Sequence, residues 1–84
     1  MVERRTFLIE ARPEADIVLR LLGPFAVQGA EILTLEAEQG AACTRVRIEA
    51  RGLPAETALH LVERLRAMPA VQAVGLGWRA AAAA

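Results

Sequence analysis

The sequence predicts an α+β domain, a four-stranded antiparallel sheet with two helices on one face in the order βαββαβ. Three observations predict it. Apolar and polar residues alternate over 6–11, 30–38 and 41–50, the period-two signature of half-buried strands. Ile17, Val18, Leu21, Leu22 and Phe25, and then Ala58, Leu61, Val62, Leu65 and Met68, recur instead at helical spacing. Gly29, Gln39-Gly40, Gly52-Leu53-Pro54 and Pro69 punctuate the chain between these stretches.

The first strand, 6–11, points Phe7, Ile9 and Ala11 one way and Thr6, Leu8 and Glu10 the other. Leu8 on the second face predicts a central strand with both faces partly covered. Pro13 holds Arg12 extended and turns the chain into the first helix. Glu14 and Asp16 lie where the helix dipole favours negative charge, by about 0.3–1 kcal/mol each. Pro24 inside that helix removes the bond to the carbonyl of Arg20 and predicts a bend. Gly29 then closes the helix in the left-handed conformation.

The second strand, 30–38, places Leu33, Leu35 and Ala37 on one face and Ile32, Thr34 and Glu36 on the other. Gln39-Gly40 reverses the chain. The third strand, 41–50, turns Ala42, Thr44, Val46, Ile48 and Ala50 inward and Cys43, Arg45, Arg47 and Glu49 outward, with Arg45 and Arg47 solvated or paired to Glu36 and Glu10. Pro54 suits the first turn of the second helix, and Pro69 stops it. The fourth strand, 71–78, is interrupted by Gly75 and Gly77, as in an irregular edge strand. The arrangement is a ferredoxin-like split unit with spatial strand order 4-1-3-2.

Composition removes several function classes. The chain has 84 residues, 55% of them hydrophobic, and no net charge: ten arginines balance nine glutamates and one aspartate. Nucleic acid binding would need a clustered basic surface. A single cysteine, Cys43, excludes an internal disulfide and a CxxC metal or redox motif. No apolar run approaches the roughly 18 residues of a membrane span, and the first residues do not read as a signal peptide. The expectation is a cytoplasmic protein without membrane or nucleic acid partners. Residues 1–79 are read as one domain and 80–84 as a disordered alanine tail.

Functions common on this architecture leave signatures that can be sought. The loop after the first strand has no cysteine for metal delivery, the third strand has no aromatic for stacking RNA bases, and no asparagine exists to position a hydrolytic water. His60 falls on the solvent side of its helix with no nucleophile nearby to activate. Cys43 reads as a surface or interface thiol, and Glu36 and Glu38 as solvated strand charge. Trp78 reads as a core or interface anchor. No catalytic, metal-binding or cofactor-binding residue is expected.

Arg20, Leu22, Phe25, Gly29 and Ile32 lie in the passage from helix to strand. A leucine-spaced helix runs into a V-x-x-V strand over 61–74. With the element order, these residues resemble the ACT domain, and more narrowly the short small (regulatory) subunit of acetohydroxyacid synthase (acetolactate synthase). The resemblance implies a non-catalytic regulatory or accessory domain in amino-acid metabolism, specifically branched-chain biosynthesis. It would associate with itself as a homodimer and with the catalytic subunit of a thiamine-diphosphate enzyme. The alternative it implies is a stand-alone homodimeric sensor of a small metabolite. The effector loop would comprise Glu14, Ala15, Asp16 and Ile17, with Glu31. The family's Pro-Gly is here Ala15-Asp16, and Glu31 stands where asparagine is common. Two acids at a helix N-terminus predict poor binding of a carboxylate-bearing effector. Ile32, Leu33 and Thr34 lie on an edge strand without the lysine or proline that would blunt it, and are the expected dimer interface.

Overall fold

The computed structural model describes the backbone of residues 3–80 and the side chains of residues 4–77. Its elements are β1 (Glu3–Ala11), α1 (Ile17–Val27), β2 (Glu31–Gln39), β3 (Thr44–Arg51), α2 (Ala55–Arg66) and β4 (Val71–Ala80). The strands form one antiparallel sheet in the order β2-β3-β1-β4, the predicted arrangement. Ala80 ends β4. Residues 81–84 of the expected tail and the side chain of Trp78 lie outside the described residues.

One face of the sheet makes the core. Phe7, Ile9 and Ala11 of β1 and Val46, Ile48 and Ala50 of β3 are buried with Ile17, Leu21 and Phe25 of α1 and Ala58, Leu61, Val62 and Leu65 of α2. Phe7 and Phe25 meet edge to face, with centroids 4.9 Å apart, the geometry that the ring quadrupole favours. At the sheet's other end, the buried Nε of Arg5 donates to the carbonyl of Leu53 at 2.6 Å.

As expected, helix α1 holds Pro24 within it and closes at Gly29 (φ 75°), which donates to the Ala26 carbonyl while Ala30 donates to that of Phe25, each at 3.1 Å. The structure differs from expectation in three places. Leu8 is central by register but 54% exposed, because among the described residues no element covers the second face. Strand β3 begins at Thr44, and Ala42 is exposed in a bend closed by a 2.9 Å bond from the Gly40 N–H to the Cys43 carbonyl. The third concerns β2. Ile32 pairs with Ala50 and Thr34 with Glu49, so Leu33 is an extra, bulged residue. The bulge shifts the alternation by one, and Ile32 joins Leu35 and Ala37 on the helix-facing side while Thr34 stays with Glu36 on the other.

Candidate functional site

The β1–α1 loop gathers four of the residues expected to form an effector site. Ile17 is buried and Ala15 exposed. Glu14 and Asp16 both pair with Arg20, one turn into α1; the Asp16 contact is 3.2 Å, and Arg12 lies 3.7 Å from Glu14. The hydrogen bond that Arg20 donates to the Glu14 carboxylate, reinforced by the nearby charge of Asp16, holds the Arg20 guanidinium above its ordinary pKa. Two acids and two arginines therefore share the loop, and the expected uncompensated negative charge is absent there. The N–H groups at the head of α1 receive no side-chain cap.

Glu31 is not part of this cluster. Gln39, at the far end of β2, donates to the Glu14 carbonyl at 3.4 Å, and Glu31 begins the same strand, about 27 Å away at the usual rise per residue. Its carboxylate instead takes a two-pronged contact from Arg51, at 2.8 and 3.0 Å. That hydrogen bond and charge hold the Glu31 carboxyl below its ordinary value.

A second region lies on the outward side of α1. The helix sequence Ile17–Val27 carries one charged residue, Arg20. Leu19 and Val27 are each 73% exposed, Ala26 is exposed, and Val18 and Leu22 are half-buried. Since α2 packs on β4, α1 occupies the β2 side of the helix layer. The helix-facing side chains of β2 there, Ile32 and Leu35, remain 37% exposed, beside half-buried Leu33. Of the three expected interface residues, Ile32 and Leu33 belong to this apolar margin. Thr34 does not, because its Oγ1 donates to Glu49 at 3.0 Å on the opposite face.

The open face of the sheet is the third region. Here Arg45 pairs with Glu10 at 3.4 Å and Arg47 with Glu36 at 3.3 Å, as expected from alternation. Arg47 also reaches Glu49 at 3.3 Å, and Glu49 is only 4% exposed despite its outward position. A shallow concavity of about 780 Å³ crosses this face, from Ala73 and Gly75 over Leu8 to Glu36 and Glu38. His60 is exposed on α2, and Cys43 is half-buried before β3. Among the described residues no group of three His, Cys, Asp or Glu is placed to hold a metal, and no helix is long and apolar enough to cross a membrane.

The apolar girth of α1 was visible in sequence, since Leu19, Ala26 and Val27 fall outside its predicted core stripe. The burial of Glu49 had no such signal, because it depends on the register that sets Thr34 beside it.

No family model matches the chain, and no curated protein matches it in sequence. Solved structures do match in shape. The ACT domain of GTP pyrophosphokinase from Chlorobium tepidum superposes with a TM-score of 0.79 at 12% identity, covering 92% of this chain and 100% of that one. The C-terminal domain of the MgtC protein from Mycobacterium tuberculosis gives 0.76 at 16% identity, over 96% of this chain and 92% of that one. At such identities the likeness concerns the fold, and the fold is the ferredoxin-like α+β arrangement of ACT domains.

Proposed function

We propose that the chain is a non-catalytic, ACT-like regulatory or accessory domain that acts by association, with a second copy of itself and with a biosynthetic enzyme. One observation carries the reading: α1 has a single charged residue, Arg20, and is otherwise apolar, yet it is covered on one side only. A helix of that composition is ordinarily buried all round. Docking α1 and the apolar margin of β2 against a partner would remove Leu19 and Val27 from water, each contributing about 1.5–3 kcal/mol if fully covered. The bulge at Leu33 twists the β2 edge, so packing through α1 and the helix-facing margin is favoured over a continuous sheet across residues 32–34.

The resemblance of the sequence to the acetohydroxyacid synthase small subunit makes the catalytic subunit of that thiamine-diphosphate enzyme the first partner to test. In this reading residues 1–79 form a single domain that works in the cytoplasm, in branched-chain amino-acid biosynthesis, apart from nucleic acid and membrane. Affinity purification of the native protein from its own cell extract tests the partner. Recovery of a thiamine-diphosphate enzyme in stoichiometric amount supports it, and recovery of the domain alone at every salt concentration contradicts it.

A second reading, a homodimeric sensor of a small metabolite, is favoured by the pairing of Glu14 and Asp16 with Arg20. This compensation removes most of the repulsion that a ligand carboxylate would meet at the head of α1. Calorimetric titration of aliphatic amino acids into the domain separates the two readings. Saturable binding tighter than about 1 mM, a free energy near −4 kcal/mol, supports the sensor, and its absence leaves the accessory domain.

A further inference from the structure

Resting on the reading that this domain acts through a protein partner, we propose that the open sheet face docks a basic amphipathic helix of that partner, one bearing leucine with lysine or arginine. This face is opposite to the α1 surface and carries a different chemistry.

The strand register lays two rows across it. One row runs Gly75, Leu8, Arg47, Glu36, and the next runs Ala73, Glu10, Arg45, Glu38. Each begins with a small residue on β4 and ends in an acid on β2, and the first is apolar at β1 through Leu8 where the second carries Glu10. Leu8 stands 54% exposed in a central strand, and its cross-strand neighbour Gly75 has no side chain to cover it. The result is a slot with an apolar floor at one end of the concavity. From β4 to β2 the face spans about 14 Å at the usual strand spacing, enough to seat a helix of about 10–12 Å diameter.

Charge selects the occupant. Glu10, Glu36 and Glu38 line the concavity with only Arg45 and Arg47 to balance them. Arg47 is shared with the buried Glu49, and no ion pair reaches Glu38 among the described residues. The surplus is negative, so it repels phosphate and complements a cation. A second copy of this face would bring the same acidic surplus. The outward side of α1 offers a single cation, Arg20, already held by Glu14 and Asp16. A foreign helix with leucine toward β1 and β4 and a basic side chain over Glu36 and Glu38 satisfies both ends.

The test titrates the isotope-labelled chain with a synthetic leucine–lysine amphipathic peptide of about four helical turns, and with a leucine–glutamate peptide of the same pattern. The leucine–lysine peptide alone should shift the amide resonances of Leu8, Gly75 and Glu38. Leu8→Thr should weaken it by about tenfold or more, as for loss of a central apolar anchor. The double change Glu36→Lys with Glu38→Lys should reverse the preference between peptides. Leu19→Glu on α1 should leave this binding unchanged, which separates the proposal from self-association. Equal response to both peptides, shifts centred on α1, or indifference to Leu8→Thr would overturn it. So would loss of self-association in Leu8→Thr, since the face would then be a contact between copies.

Discussion

The two helices pack on the same sheet face and meet the solvent in opposite ways. Helix α2 buries Ala58, Leu61, Val62 and Leu65 and exposes Glu56, His60, Glu63, Arg64 and Arg66, with Leu59 the one large apolar side chain outside. Helix α1 buries Ile17, Leu21 and Phe25 and exposes Leu19, Arg20, Gly23, Ala26 and Val27. An isolated fold needs only the inner stripe of each. The outer face of α2 is mostly charged and polar, and that of α1 is mostly apolar. In a domain of this size, with little core to spare, such a face stabilises the chain when it is covered.

The comparison is broken most strongly by truncating each face of α1 in turn. Phe25→Ala removes the ring packed on Phe7 and should cost about 3–5 kcal/mol, as for other buried aromatics. Leu19→Ala, on the same helix, should change monomer stability by no more than about 0.5 kcal/mol. Urea denaturation at low protein concentration measures both, and equal losses would mean that the outward face is part of the chain's own core.

A smaller effect distinguishes the helix ends. Helix α1 closes through Gly29 at φ 75°, whereas α2 closes on Ala67 in right-handed conformation. Space around Gly29 is open, with no atom within 4 Å of an added Cβ, so Gly29→Ala pays only backbone strain, about 1–2 kcal/mol. Ala67→Gly should cost about 1 kcal/mol or less. A Gly29→Ala protein with an unchanged urea midpoint would show that the left-handed cap is dispensable.

The smallest expected effect is on the strand beside α1. Arg51 depresses the Glu31 carboxyl in the folded state, so the ionised form is favoured by folding. That stability is present above the unfolded-state value and is lost as pH falls through the lower, folded-state value. Glu31→Gln should lower the urea midpoint slightly at neutral pH, and the difference from wild type should vanish in acid. A difference that grows with acidification would contradict the pairing.

How far these features could be read in the sequence depends on what set them. Strand and helix order was legible because periods of two and 3.6 are local, and the Phe7–Ile9 and Val46–Ile48 faces followed directly. The outward placement of Arg45 and Arg47 also followed, from alternation, which left them solvated or paired to Glu36 and Glu10; the register settles the pairs as Glu10–Arg45 and Glu36–Arg47. The bulge at Leu33 was not legible, since Ile32, Leu33 and Leu35 are apolar in either phase and alternation could not locate the extra residue. The start of β3 was misplaced because Ala41 and Ala42 fit a strand or a bend equally. The loop cluster was half legible: Glu14 and Asp16 were recognised as acids at a helix start, but Arg20, one turn further on, was read as part of a packing passage and not as their partner. Glu31 was grouped with the β1–α1 loop through the resemblance, and its position at the opposite end of β2 from that loop is a matter of tertiary placement that no local pattern encodes.

The central claim is that the outward face of α1 is an interface, and sedimentation equilibrium tests it most directly. At about 50 μM, above the dissociation constant of a micromolar dimer, the wild-type chain should sediment as a dimer. The pair Leu19→Glu with Val27→Glu should sediment as a folded monomer, and the matched changes Leu59→Glu with His60→Glu on α2 should leave the dimer intact. A monomeric wild type, or a dimer that survives both charges on α1 and dissociates with those on α2, would contradict the account.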